Sequence, residues 1–186
     1  HRVMVVEVMG RDAGWIALEA GLAGGGDIIL IPEIPFQLDR IAEAIAHRSS
    51  HGRTFSIIVV AEGAHPDGVT AIVRRVGPDG FPRMGGVGVW LADQLERRVH
   101  GEVRATVLGH VQRGGTPTAF DRVLATRFGC AAAWLIERRD FGKMVAVRGT
   151  DIVAVPLEDA VQETKLVPRT SEKVMTARSL GVSFGD

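Results

Sequence analysis

Short β-branched runs alternate with longer stretches of helical spacing along this chain. Val3-Met4-Val5-Val6-Glu7-Val8 predicts a first strand, followed by a turn at Met9-Gly10-Arg11. Asp12 is the expected N-cap of a helix through Trp15, Leu18 and Leu22 that stops at Gly24-Gly25-Gly26. A second strand is predicted over Asp27–Ile31, closed by Pro32, and a helix from Asp39 carries Ile41, Ala44 and Ile45 before fading at Ser49-Ser50-His51-Gly52. Phe55–Ala61 reads as a third strand ending at Glu62-Gly63. Residues 64–85, rich in Gly, Pro, Asp and Arg, predict a surface excursion.

A helix is then expected from Gly86 to Arg98 with Gly101 as its stop, and a strand over Val103–Leu108 ending at Gly109-His110. A longer helix spans Phe120–Arg138, and Met144–Val147 and Ile152–Val155 are two further short strands. From Val161 onward the sequence is polar and weakly patterned, so the pattern predicts little for this C-terminal tail. The alternation implies an α/β protein in three layers around a mainly parallel sheet. The start, His1-Arg2 running straight into a strand, reads as a piece of a longer protein.

Composition narrows the classes. Lys+Arg and Asp+Glu both total 22, so the zero net charge gives no bulk attraction to nucleic acid or an anionic membrane. Apolar runs break well short of a spanning helix, and no leader pattern is present, which makes the expected location cytoplasmic. The lone Cys130 excludes a disulfide framework or a cysteine-rich zinc site. The positive charge is 19 Arg against three Lys, with no Asn and no Tyr, a skew for which coding bias is the plainer cause. Position has to decide which arginines matter.

Three predicted strand ends carry charged or ionisable side chains beside glycine: Met9-Gly10-Arg11, Glu62-Gly63, and Gly109-His110 leading into Gln112-Arg113-Gly114-Gly115. Ligands of open parallel sheets bind outside the carboxyl ends of the strands. Glycine admits a ligand close to the backbone, Arg and His suit a phosphate, and a single Glu accepts from sugar hydroxyls. Each residue taken singly has a plainer use: an ion pair for Arg11, a helix cap for Glu62, a satisfied buried ring for His110. Their recurrence at three strand ends favours a site for a phosphorylated polyol.

Phosphate-donor motifs are missing from the sequence. Gly142-Lys143 runs into Met144 without an upstream glycine, there is no His-Glu-x-x-His or Gly-x-Ser-x-Gly, and Cys130 falls in an Ala-rich helix. Gly24–Gly26 follow a helix and read as its stop. The sequence shows an acceptor pocket without a donor pocket.

The stretch from Arg104 through Gly109-His110, Gln112-Arg113-Gly114-Gly115 and Asp121-Arg122 resembles the phosphofructokinase signature at every fixed place. Val5-Val6-Glu7-Val8-Met9-Gly10-Arg11 and Ala61-Glu62-Gly63 are similar to two further motifs of that family, in the same order, and the likeness extends to about Leu157. The resemblance implies the second half of a two-domain enzyme that phosphorylates fructose 6-phosphate at its 1-hydroxyl, the glycolytic step to fructose 1,6-bisphosphate. It implies residues 1–115 as a sugar-phosphate-binding domain, 116–160 as a return segment into the donor domain, and 161–186 as a C-terminal tail.

By the same resemblance Met9, Gly10, Arg11, Glu62, His110 and Arg113 line the sugar-phosphate site. Arg2 and Arg104 reach the site of a neighbouring subunit in a homodimer or homotetramer. His110, Arg113, Arg2 and Arg104 would hold the 6-phosphate, Glu62 would orient hydroxyls, and Arg11 would lie nearest the transferred group as the catalytic charge. The glycine loop for the donor, the Mg²⁺-binding Asp and the catalytic base belong to the half that the fragment lacks, so the fragment alone is expected to be inactive. ATP is the expected donor, with pyrophosphate as the alternative, since the wording is most similar to the actinobacterial mixed-substrate branch. A non-catalytic half that senses sugar phosphates is the competing reading.

Nucleotide-controlled members of the family pair an acidic residue after the first helix with a basic cluster ahead of the strand that ends at Glu62. Asp27 and Arg53 fit that pattern, whereas Phe55 stands where a polar partner would. Effector control is therefore not implied.

Overall fold

The computed structural model describes residues 2–69, 73–76, 82–84 and 86–186. They form two compact units, one of residues 1–113 with 165–186 and the other of residues 114–164.

The first unit is built on four parallel strands, β1 (Arg2–Val8), β2 (Ile28–Leu30), β3 (Phe55–Ala61) and β6 (Glu102–Val107), in the order β2-β3-β1-β6. Parallel neighbours need crossover connections, and helices α1 (Trp15–Ala23), α2 (Leu38–Ser50) and α3 (Val87–Glu96) supply them. The strands alternate cleanly. Val3 and Val5 of β1, Ile28 and Leu30 of β2, and Ile58 and Val60 of β3 pack with Ile41 and Ile45 of α2 and Leu91 and Leu95 of α3. On the opposite face Val8, Ile29, Val59 and Ala61 pack with Ala17 and Leu18 of α1. Two helical layers thus enclose the sheet, as the alternation predicts, and each fully buried Ile or Leu contributes roughly 1.5–3 kcal/mol.

Several boundaries differ from expectation. The first turn of α1 starts at Trp15 with Gly14 at its N-cap, so Asp12 is exposed and caps nothing. Both carboxylate oxygens of Glu33 lie 3.1 Å from the Gly14 N–H and perform that service instead. The second strand is shorter than predicted, and its ladder stops at Leu30, two residues before Pro32, which has no N–H to continue it. Within the expected excursion over 64–85, Val73–Val76 (β4) and Pro82–Met84 (β5) pair as an antiparallel hairpin, and the rest of that glycine-rich stretch lies partly outside the described residues.

The tail over 161–186, for which the sequence pattern predicts little, has defined structure from residue 165 onward. Residues 165–186 belong to the first unit, where α6 (Glu172–Ser179) buries Val174 and Ala177 and the following turn buries Phe184. The Ile29 N–H donates to the Ser183 carbonyl at 2.9 Å and the Ser183 N–H to the Asp27 carbonyl at 3.1 Å, so this segment covers the outer edge of β2. Few apolar residues announce it, because α6 needs only a narrow stripe to fill the space beside α1.

The second unit contains α4 (Ala119–Glu137), an antiparallel hairpin of β7 (Lys143–Arg148) and β8 (Asp151–Pro156), and the short α5 (Leu157–Val161). Thr118 starts α4 with a capping box: its side chain accepts from the Asp121 N–H while the Asp121 carboxylate accepts from the Thr118 N–H. No residue of 114–164 is buried, and Phe120, Trp134, Ile136 and Phe141 are each more than half exposed.

Candidate functional site

Because β1 lies between β3 and β6, the three glycine-flanked ends predicted from sequence are neighbours in the sheet. Val8 pairs with Ala61 and Glu7 with Val107, which sets the Met9–Arg11 loop beside Glu62 on one side and the turn at Gly109–Arg113 on the other. Met9, Gly10, Arg11, Glu62, His110 and Arg113 therefore gather at the carboxyl edge of one sheet.

Local backbone chemistry explains the glycines. Gly10 has φ +144°, and a Cβ there would meet the Ala13 carbonyl oxygen at 2.8 Å. The Gly63 N–H donates to the Gly10 carbonyl at 3.0 Å, which draws the end of β3 under the loop. Gly109, at φ +51°, turns the chain out of the β6 ladder into a single 3₁₀ turn that carries His110 and Arg113.

The loop backbone is held while its charged side chains remain open to solvent. The Met9 N–H donates to Gln112 Oε1 at 2.7 Å, and the Gly10 N–H approaches Glu62 Oε1 at 3.5 Å. Arg11, His110 and Arg113 are exposed, so the buried-ring alternative for His110 is excluded. Arg11 Nε is 4.0 Å from Asp12 Oδ1, and exposed pairs of that kind contribute little. Glu62 is half-buried and caps no helix.

Arg2 and Arg104 lie toward the other end of their strands. Arg2 is seven residues before Met9, about 23 Å at ~3.3 Å per strand residue. Both arginines rest on one carboxylate: Arg2 Nε donates to Glu102 Oε2 at 3.1 Å, and Arg104 Nε to Glu102 Oε1 at 2.6 Å. The hydrogen bond from Arg104, followed by the charge of both guanidiniums, holds the Glu102 carboxyl below its usual range. Within one chain these two arginines do not join the cluster at the strand ends.

Sequence reasoning missed two carboxylates that shape the first unit. Glu7 is only 3% exposed, and its oxygens accept from the Gly86 N–H at 3.0 Å and the Gly88 N–H at 2.8 Å, at the N-terminus of α3. A charge inside an otherwise apolar strand was the available signal. Glu33 joins α1 to the returning segment through the Val167 N–H at 2.8 Å, a contact across 134 residues that no local pattern reveals.

A cleft of about 420 Å³ is lined by Asp27, His47, Arg48, His51 and Arg53. Asp27 is already engaged, by Arg48 Nη2 at 2.6 Å and the Ile57 N–H at 2.8 Å. Phe55 is exposed and provides no polar group there. Among the described residues no three His, Cys, Asp or Glu side chains converge to hold a metal ion, and no helix is long and apolar enough to cross a membrane.

A parallel sheet whose adjacent strand ends present Glu, Arg and His beside glycine is the architecture expected from the signature, and comparison with known proteins agrees. The phosphofructokinase family matches residues 1–136, and the chain belongs to that family. It is 54% identical over its full length to the ATP-dependent 6-phosphofructokinase of Chloroflexus aurantiacus, covering 51% of that protein. It is 56% identical over 170 residues, 90% of the chain and 50% of the relative, to the pyrophosphate–fructose 6-phosphate 1-phosphotransferase of Amycolatopsis methanolica. The chain thus spans about half the length of the curated relatives it matches. Among solved structures, Pichia pastoris phosphofructokinase in the T-state superimposes with TM-score 0.69 at 35% identity, over 96% of this chain and 18% of that one.

Proposed function

We propose that this chain is the acceptor half of a cytoplasmic, glycolytic phosphofructokinase that transfers a phosphoryl group to the 1-hydroxyl of fructose 6-phosphate. The observation that carries the reading is the convergence of Met9–Arg11, Glu62 and His110–Arg113 at three adjacent strand ends. In this reading His110 and Arg113 bind the 6-phosphate through charge-assisted hydrogen bonds, and Glu62 accepts from the sugar hydroxyls. The Met9 and Gly10 backbone shapes the floor of the site, and Arg11 offsets charge that builds on the transferred group. Arg2 and Arg104 complete the phosphate site of a neighbouring copy, which makes a homodimer the smallest working unit and a homotetramer of two dimers the expected assembly.

Phosphoryl transfer depends chiefly on positioning and charge. By the family resemblance, Mg²⁺ and the donor are assigned to the half of the relatives' length that this chain does not span. ATP is the favoured donor, after the Chloroflexus relative, and the Amycolatopsis relative supports pyrophosphate as the second reading.

The test is calorimetric titration of the full-length protein with fructose 6-phosphate, alongside turnover with ATP or pyrophosphate. Arg113→Ala and His110→Ala should each weaken sugar-phosphate use roughly tenfold to a hundredfold, the scale of one charged hydrogen bond. Unchanged binding in both variants would sink the site assignment.

A further inference from the structure

Past Val107 the β6 ladder ends. The Leu108 N–H makes the last backbone bond, to the Glu7 carbonyl at 3.0 Å, and Gly109 then swings the chain into the 3₁₀ turn. In a continuing parallel pair the next bond would run from the Met9 N–H to a carbonyl of the departing strand. That N–H instead meets Gln112 Oε1 at 2.7 Å, from a residue 103 positions away and half-buried like Met9 itself. A side chain has taken over the place of a strand carbonyl.

The substitution has a geometric consequence. His110 and Arg113 leave the plane of the sheet with the turn, while Met9, Gly10 and Arg11 continue from β1. The Gln112 side chain joins the two groups by a short hydrogen bond, while on the other side of the loop the Gly10 N–H stands 3.5 Å from Glu62 at the end of β3. We infer that Gln112 is a positioning residue: by holding the Met9 N–H it sets the separation between the Arg11 loop and the His110–Arg113 turn, and so the fit of both to one sugar phosphate. This inference rests on the function proposed above. Gln112 acts through Met9 and needs no contact with the ligand.

The experiment uses the full-length protein and two variants. Gln112→Met keeps length and volume but has no oxygen to accept; Gln112→Glu keeps an acceptor. Hydrogen–deuterium exchange resolved to the Met9 amide should speed up roughly tenfold in Gln112→Met and stay protected in Gln112→Glu, as expected for loss or retention of one bond. The KM for fructose 6-phosphate should rise roughly threefold to tenfold in Gln112→Met, with the KM for the phosphoryl donor unchanged and the melting temperature lowered by no more than about 6 °C, the scale of one hydrogen bond. Met9 exchange that does not respond in Gln112→Met overturns the brace. A released Met9 with an unaltered sugar-phosphate KM overturns the positioning role, as does an equal rise in both KM values. Wild-type protein that takes up no fructose 6-phosphate, with Met9 released in Gln112→Met, overturns the parent function and removes the positioning role with it.

Discussion

Gly63 lies so close to the backbone of Arg11 that a Cβ on Gly63 would stand 1.8 Å from the Arg11 carbonyl oxygen. The flexible end of a side chain could yield to such a clash, but a backbone carbonyl in a braced loop can move only with its neighbours. Gly63→Ala should therefore shift the Arg11 loop, at a stability cost of about 1–3 kcal/mol, as for overpacking elsewhere. On the proposed function, the kcat/KM for fructose 6-phosphate should fall by more than about tenfold in an assay of the full-length variant, because Arg11 would be misplaced at the site. Retention of wild-type kcat/KM would show that Arg11 does not depend on this contact.

Arg104 and Arg113 offer a test of shared sites. If each site takes Arg113 from its own chain and Arg104 from a neighbour, Arg104→Ala and Arg113→Ala should each be defective alone. A mixed dimer of the two variants contains one site with both arginines. Unfolding and refolding the variants together at equal amounts should recover roughly a quarter of wild-type activity, because half of the dimers are mixed and half of their sites are intact. No recovery on mixing would mean that Arg104 serves its own chain, where it is now bound to Glu102.

Glu7 is the buried acceptor for two backbone N–H groups at the start of α3. Its replacement by leucine strands both donors, so Glu7→Leu should cost roughly 3 kcal/mol. In a domain of this size that lowers the melting temperature by about 6–12 °C. Glu7→Gln, which keeps one acceptor, should lie between the leucine variant and wild type in thermal denaturation. A leucine variant as stable as wild type would show that apolar packing offsets both lost bonds.

Asp186 gives a pH signature. Two hydrogen bonds from Arg178, Nη1 to Oδ1 at 3.0 Å and Nη2 to Oδ2 at 2.5 Å, hold its carboxyl below the ordinary aspartate value. A depressed carboxylate stabilises the fold fully above its unfolded pKa, about 3.9, and the contribution fades as the pH drops through the lower folded value. The stability gap between wild type and Asp186→Asn should therefore be constant from neutral pH to about pH 5 and close below about pH 4, as measured by denaturant unfolding. A gap that does not narrow at all as the pH falls below about 4 would assign the effect to packing of the Arg178 stem on Phe184, whose ring centre is 4.9 Å from the guanidinium carbon.

The sheet strands and the six residues at their ends were legible because each depends on local pattern: β-branched runs, then glycine beside a charged group. The signature around His110 added the family. Its acidic member, Asp121, proves to be half of a capping box with Thr118, a local role that the motif alone does not reveal. The partners of Glu7 and Glu33 were not legible, because their bonds span 19 to 134 residues and depend on which backbone amides the crossovers leave bare. Nor was the place of residues 165–186, since Val174, Ala177 and Phe184 are too sparse to mark a core segment until the groove beside α1 is known.

That last segment has a bearing on synthesis. The first unit is interrupted by the second, so a ribosome delivers β1, β2, β3 and β6, then the fifty-odd residues of 114–164, before the residues that seal Leu18 and Ile29. At the usual 5–20 residues per second, the nascent chain carries an uncovered apolar face for several seconds. Slowing translation across 114–164 lengthens that interval, and chaperone capture during elongation should concentrate there.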